Sequence, residues 1–198
     1  MNSESLAERL ILASSSKYRR VLLERLGVPF VCRASAIDET ARNGESPLDL
    51  VTRLAAEKAQ AVSDANPGAI VIGSDQVAVF DGGVVGKPGN FEKALEQLSA
   101  FSGQVVEFLT AVTVQKPEAR FMRQHLDTTS VGFRHLQRAE IERYLEAEKP
   151  FDCAGAFKAE SLGIVLFEYI RSDDPTALIG LPLIRTAAML REAGLRLP

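Results

Sequence analysis

Short apolar runs alternate with amphipathic helical segments along this chain, and this alternation limits what it can fold into. Residues 10–13 and 69–72 have the length and composition of buried strands, and residues 105–114 and 121–133 predict two longer ones. Residues 46–65 have helical spacing behind a capping-box start. Further strands are predicted at residues 29–34, 77–80, 84–85 and 163–167. Strands that alternate with helices in this way predict an α/β fold with a mixed sheet.

The composition is that of an ordinary globular protein, with 46% apolar and 25% charged residues among 198. The net charge of −3 gives no sign of affinity for nucleic acid. No apolar run approaches the roughly 18 residues that span a membrane, and Cys32 and Cys153 form no disulfide framework. We therefore expect one cytoplasmic domain over residues 1–198, with neither nucleic acid nor membrane as a partner.

Residues 14–20 crowd three serines and three cations at the start of a predicted helix. Cations there oppose the helix dipole at a cost of about 0.3–1 kcal/mol each, and a bound polyanion would reverse that cost. Ser14, Ser16 and Arg19, with the free backbone N–H groups of the helix, have the chemistry of a phosphate site. The alternative is a serine-capped helix with solvated cations.

Lys58 lies on the apolar stripe of the helix at residues 46–65, four positions after Leu54. A lysine on such a stripe either extends its ammonium to the water at the edge or places it inside a cleft. The sequence leaves both alternatives open.

Asp75 follows the buried run at residues 69–72, where α/β sheets place their chemistry. Asp81-Gly82-Gly83 predicts a tight hairpin turn, and a short turn there brings Lys87 roughly opposite residues 75–78. A carboxylate and an ammonium are thus expected to face each other. They form either a reactive pair or a surface salt bridge worth about 0–1 kcal/mol.

Two loops hold further candidates. Small residues dominate residues 153–163, which allows a ligand to approach the backbone, and Lys158 and Glu160 are the charges within them. Asp38 and Glu39 offer the carboxylate oxygens that hard cations prefer. The alternatives are an ordinary loop and a solvated acidic pair.

These motifs resemble the Maf family of nucleotide pyrophosphatases over nearly the whole chain. Ser14, Ser16 and Arg19 occupy the positions of the family's Ser-x-Ser-x-x-Arg signature. The other matches are Asp38-Glu39, Glu57-Lys58-Ala59, Ile72-Gly73-Ser74-Asp75, Gly86-Lys87-Pro88 and Gly180-Leu181-Pro182. The resemblance implies a Maf/ITPase-like fold with an elongated mixed sheet flanked by helices, two lobes around a cleft, and often a homodimer.

The resemblance also implies a reaction, the cleavage of a nucleoside triphosphate to a monophosphate and pyrophosphate. Asp75 would position or deprotonate the attacking water, and a divalent metal (magnesium, manganese or cobalt) would be bound by Glu39 and Asp75. The remaining roles are charge neutralisation by Arg19, Lys58 and Lys87 and orientation of the triphosphate by Ser14 and Ser16.

Within the family, Tyr18, Gln76 and Glu160 resemble the branch that acts on 7-methyl-GTP, a house-cleaning activity on modified nucleotides. The methylated guanine is cationic, so it suits stacking on Tyr18, and its adjacent N–H donors suit the carboxylate of Glu160. One alternative is the sibling branch, which acts on dTTP and UTP. Another is a nucleotide-binding regulator of septum formation without turnover.

Overall fold

The structure is a computed structural model that describes residues 9–197. The chain forms two compact units. The first contains the residues up to Gln76, Thr110–Asp127 and the residues from Asp174 onward, and the second contains Val77–Leu109 and Thr128–Asp173. No helix in the described part of the chain is long and apolar enough to cross a membrane.

The fold is α/β, as predicted, with strands hydrogen-bonded in the order β2-β1-β3-β5-β6-β7 and β4 paired to β3. The strands are β1 Leu10–Leu12, β2 Val31–Cys32, β3 Ile70–Phe80, β4 Gly83–Val85, β5 Val105–Lys116, β6 Phe121–Phe133 and β7 Phe167–Arg171. The helices are α1 Lys17–Glu24, α2 Pro47–Asp64, α3 Phe91–Phe101, α4 Arg138–Glu148 and α5 Leu183–Glu192. β1 pairs in parallel with β2 and β3, whereas β3–β4 and β6–β7 are antiparallel, so the sheet is mixed.

Alternate side chains of β1 and β3 form two cores on opposite faces of the first unit's strands. Leu10, Leu12, Ile70 and Ile72 pack with Leu22 and Leu23 of α1 and with Met189 and Leu190 of α5. Ile11, Ala13 and Val71 pack with Ala59 and Val62 of α2. Helix α2 is thus fixed on the opposite face from α1 and α5.

An aromatic cluster forms the core of the second unit. Its ring pairs are Phe80–Phe101, Phe101–Phe133, Phe108–Phe157, Phe133–Phe157, Phe133–Phe167 and Phe157–Phe167, with centroids 4.8–5.7 Å apart. The predicted hairpin is confirmed. Asp81 and Gly82 form its two-residue turn with φ of 50° and 73°, and Phe80 pairs with Gly83.

Three strand predictions need correction. The strand predicted at residues 163–167 is wrong, because Leu162–Leu166 is a 3₁₀ turn and β7 begins at Phe167. Gly163 N donates to Lys158 O at 3.1 Å, which folds this segment back on itself. The strand at residues 29–34 shortens to Val31–Cys32. The runs at residues 69–72 and 77–80 form one strand, because the intervening polar residues are also in extended backbone.

Candidate active site

A buried lysine and a buried aspartate form the centre of the site. Lys58 on α2 is 6% exposed and Asp75 on β3 is 7% exposed. Lys58 Nζ donates to Asp75 Oδ1 at 2.7 Å, and Glu39 Oε1 lies 2.9 Å from the same nitrogen. Lys58 therefore does not extend along the surface to water. Its charge is compensated inside the protein by Asp75, as a buried ion requires, and from the solvent side by the exposed Glu39.

Gly73 explains how α2 comes close enough to β3 for this contact. A Cβ atom at Gly73 would lie 2.2 Å from Ala55 O and 2.6 Å from Ala59 N, both backbone atoms of α2. Only a residue without a side chain allows the helix and strand to approach so closely. Lys58 lies in the same turn of α2, and Asp75 lies two residues beyond Gly73.

Gly73→Ala is expected to lower the free energy of unfolding by about 1–3 kcal/mol, because the added methyl group forces α2 away from β3. Gly68→Ala is the matched control, since its Cβ would meet only the flexible Glu118 side chain, at 3.6 Å or more. Urea denaturation measures both variants. Equal stability of Gly73→Ala and Gly68→Ala would show that the close approach is not required.

Arg19 on α1 is oriented by a hydrogen bond to a backbone carbonyl. Its Nε donates to Gly180 O at 2.9 Å, and the buried Ser74 Oγ donates to the same oxygen at 3.0 Å. Burial lowers the pKa of the guanidinium, and the charges of Asp75 and Glu39 oppose that shift. Within residues 9–197 neither Nη group of Arg19 makes a hydrogen bond, so both can take up the oxygens of a ligand.

Ser14 and Ser16 lie where β1 gives way to α1. Ser16 is the N-cap of α1 and its Oγ accepts from Arg19 N at 3.4 Å, while Ser14 Oγ accepts from Ser16 N at 3.1 Å. Both hydroxyls act as acceptors here, so their O–H groups can donate to another group. Ser16 therefore caps the helix, as one interpretation of the sequence predicted, and the same geometry also permits a phosphate site. Tyr18 is half-buried beside them, with Lys17 Nζ 4.9 Å from its ring centroid.

Gln76 is anchored by its own side chain within the first unit. Its Nε2 donates to Thr110 Oγ1 at 2.9 Å and to the carbonyl oxygens of Ala177 and Leu178 at 3.0 Å each. The amide therefore helps to hold the segment that leads to Gly180. Contact between Gln76 and a base stays a prediction.

Sequence reasoning missed a second anchor of this segment, Asp174, which is 2% exposed. Its Oδ1 accepts from Thr176 N and Oγ1 at 3.0 and 2.6 Å, and its Oδ2 accepts from Ile184 N at 2.7 Å at the start of α5. No local pattern marked it, because the N-cap of α5 is Pro182 and Asp174 lies well before it in the chain. These bonds fix the loop in which Gly180 adopts a φ of 121°, a conformation that favours glycine.

The second unit holds the other two predicted site residues, Lys87 and Glu160. Both are exposed, and the β3–β4 ladder ends at the Ala78–Val85 pair, so the position of Lys87 opposite Asp75 stays a prediction. The loop of Glu160 is fastened by Glu148 on α4, another residue that sequence reasoning missed. Glu148 accepts from Lys158 Nζ, Ser161 Oγ and Leu162 N at 3.0, 2.8 and 3.1 Å. Hydrogen bonds to Glu148 thus hold the loop on both sides of Glu160.

Comparison with known proteins identifies the family, because the Maf-like protein model matches residues 9–193. The chain belongs to the Maf-like protein family. A relative from Xanthomonas oryzae pv. oryzae, named 7-methyl-GTP pyrophosphatase, is 57% identical over 96% of this chain and 99% of its own length. Relatives with the same name are 51% identical in Albidiferax ferrireducens (98% of each chain) and 52% identical in Pseudomonas syringae pv. tomato (96% of this chain, 98% of theirs). Among solved structures, the Staphylococcus aureus Ham1 protein matches at a TM-score of 0.41 and 14% identity, covering 63% of this chain and 71% of that one.

The side chains of this Maf-like protein could hold a metal ion only together with a bound nucleotide. No group of three or more His, Cys, Asp or Glu side chains within residues 9–197 is arranged to hold an ion. Glu39 and Asp75 are two carboxylates that meet at Lys58 Nζ. Magnesium in nucleotide enzymes is commonly bound through one or two carboxylates, with substrate phosphates and waters completing the shell. The pair therefore fits an ion that arrives with its nucleotide. Asp38, in contrast, accepts from Thr40 N within its own loop.

Proposed function

We propose that this Maf-like protein hydrolyses 7-methyl-GTP to 7-methyl-GMP and pyrophosphate. The observation that carries the proposal is the likeness to curated relatives of that name, at 51–57% identity over nearly the full length of both chains. The cluster of Arg19, Lys58, Glu39 and Asp75, in which Lys58 and Asp75 are buried, supports the chemistry. Cleaving a triphosphate needs both a proton acceptor and positive charges around the phosphates.

Asp75 is the group we assign to the attacking water. Its Oδ1 is engaged by Lys58, which fixes the carboxylate, and within the described residues Oδ2 makes no hydrogen bond. Oδ2 can therefore accept a proton from a water aimed at the α-phosphorus. The new bond joins the water oxygen to that phosphorus, and the bridging oxygen to the β-phosphorus leaves with pyrophosphate.

The phosphates are assigned to the start of α1. The two Nη groups of Arg19 suit paired phosphate oxygens, and Ser14 and Ser16 add O–H donors beside the helix N-terminus. Lys58 adds a charge on the side of Asp75, and we assign Lys87 the same role from the second unit. These groups would stabilise negative charge that develops on the oxygens of the reacting phosphate.

We assign a divalent metal, such as magnesium, manganese or cobalt, to Glu39 and Asp75. Such an ion, when bound, polarises a phosphoryl oxygen and eases ionisation of water. Glu39 has 58% of its side chain exposed, so it can turn to an ion without unburying a charge.

The base is assigned to Tyr18, Gln76 and Glu160. Tyr18 offers a ring face to the cationic methylguanine. Glu160 offers two acceptor oxygens to its adjacent N–H donors. The fastening of the Glu160 loop by Glu148 supports this role, because a carboxylate on a fixed loop loses little freedom on binding.

Hydrolysis in water enriched in ¹⁸O tests both the products and the bond that is cleaved. We expect 7-methyl-GMP and pyrophosphate in equal amounts, with one ¹⁸O atom in 7-methyl-GMP and none in pyrophosphate, as read by mass spectrometry. Label in pyrophosphate, or release of orthophosphate, would contradict attack at the α-phosphorus. Binding of 7-methyl-GTP without any product would instead support a regulator.

A further inference from the structure

The segment that carries Glu39 has no helix or strand of its own. Residues 33–45 connect β2 to α2, and Glu39 lies near the middle of them. The ion pair of Glu39 with Lys58 joins a side chain that is 58% exposed to one that is 8% exposed. A pair that is open to water on one side contributes little to holding a long loop in place. The pair with Lys58 alone therefore does not account for the position of Glu39.

Arg53 on α2 binds the segment that carries Glu39. Its Nε and Nη2 donate to Glu45 Oε1 and Oε2 at 2.6 and 2.8 Å, and Nη2 also donates to Thr40 O at 3.1 Å. Its Nη1 donates to Glu57 Oε2 at 2.9 Å on the next turn of α2. The Arg53 and Glu45 side chains are only 12% and 8% exposed, so this two-pronged pair is shielded from water.

We propose that Arg53 is a positioning residue that holds Glu39 at the Lys58–Asp75 pair, an inference that rests on the proposed function. Thr40, whose carbonyl Arg53 binds, is the neighbour of Glu39 in the chain. Arg53 and Lys58 are on the same helix, so one rigid element sets the distance between the anchored loop and the ammonium. Arg53 contacts the loop and not Glu39 itself, and it acts on the reaction through the loop.

The turn before α2 orients Glu45 for its contact with Arg53. Glu45 N donates to Arg42 O at 3.0 Å across a turn in which Gly44 has a φ of 73°. Arg42 N donates back to Glu45 Oε2 at 2.9 Å, which orients the carboxylate toward Arg53. The hydrogen bonds from Arg53 lower the pKa of Glu45 to about 2, so the pair stays ionised at neutral pH.

A double-mutant cycle with Arg53→Gln and Glu39→Gln tests the proposal. Loss of a group that orients a ligand typically costs 10–100-fold, so we expect Arg53→Gln to lower kcat/KM for 7-methyl-GTP by roughly that factor. The loss should be divided between kcat and KM in the same proportion as in Glu39→Gln. The kcat/KM of the double variant should be no lower than that of Glu39→Gln alone. Arg138→Gln is the control, because Arg138 makes an exposed pair with Glu142 on α4, and we expect wild-type activity.

Amide hydrogen exchange gives a readout that does not depend on activity. Arg53→Gln should speed exchange across residues 33–45 and leave α2 protected, whereas Arg138→Gln should change neither. Glu45→Gln removes the same contact from the loop side. It should also lower kcat/KM and speed exchange across residues 33–45, so it can replace Arg53→Gln if that variant folds poorly.

The proposal is overturned if the two substitutions multiply their effects, if Glu39→Gln is fully active, or if exchange in residues 33–45 does not change. If wild-type protein releases no pyrophosphate from 7-methyl-GTP, the proposed function fails and with it the link to catalysis. The exchange data would then still show whether Arg53 holds the loop.

Discussion

Asp75→Asn is expected to lower kcat for 7-methyl-GTP by roughly 10²–10⁴-fold, the usual consequence of removing a general base. An amide has the shape of the carboxylate but cannot take up the proton of the attacking water. Its oxygen can still accept from Lys58 Nζ, and Glu39 stays beside that nitrogen, so the fold should be retained. The measurement is single-turnover pyrophosphate release, with circular dichroism to check folding.

Asp64→Asn is the matched control for this substitution. Asp64 is exposed at the end of α2 and, within the described residues, accepts a hydrogen bond from Gln60 alone, so its loss should leave kcat unchanged. A folded Asp75→Asn protein with wild-type kcat would remove Asp75 from the reaction. The family assignment would stand in that case, since it does not depend on the role of this residue.

Glu160→Gln is expected to have the second largest effect, on the choice of base. A site built on paired hydrogen bonds can reject a mismatched partner by up to roughly 10⁴-fold, because its buried polar group is left unpaired. Glutamine keeps the size, removes the charge and turns one acceptor into a donor. The ratio of kcat/KM for 7-methyl-GTP to that for UTP should therefore fall steeply, while hydrolysis itself continues.

Glu146→Gln is the matched control, because Glu146 is an exposed glutamate on α4. The ratio should be unchanged in that variant. If Glu160→Gln also leaves the ratio unchanged, Glu160 does not read the base. Gln76→Thr is a poorer test, since threonine is too short to reach Ala177 O and Leu178 O, and its effect would combine lost anchoring with lost recognition.

The parts of the fold that depend on local sequence could be predicted. Ser46 accepts from Asp49 N at the start of α2, as the capping-box pattern predicted, and the helix ends at Asp64. The Asp81-Gly82 turn follows from the few residues that tolerate positive φ. In both cases the decisive interactions lie within a few residues of one another.

The site was predictable as a set of residues but not as a network. Lys58 was conspicuous as a cation on an apolar stripe, yet its partners Glu39 and Asp75 lie 19 and 17 positions away in the chain. Arg53, Glu148 and Asp174 break no local rule, because a charged residue on a helix or before one is ordinary. Only the folded chain reveals that their bonds hold the loops of Glu39, Glu160 and Gly180.

The predicted strand at residues 163–167 shows how an apolar run can mislead. Leu162, Ile164 and Val165 are largely exposed, and a glycine contact with Lys158 O bends the segment into a 3₁₀ turn. The bonds that Ser161 and Leu162 make to Glu148 fix the same segment from outside. Composition predicted burial here, and long-range hydrogen bonding overrode it.

The specificity constants of the wild-type protein for four triphosphates test the proposed function most directly. The substrates are 7-methyl-GTP, GTP, UTP and dTTP, each with a saturating divalent metal and pyrophosphate as the measured product. We predict the highest kcat/KM for 7-methyl-GTP and much lower values for GTP, UTP and dTTP. A higher value for UTP or dTTP would contradict the assignment of the base site, and no pyrophosphate from any of the four would contradict the enzyme itself.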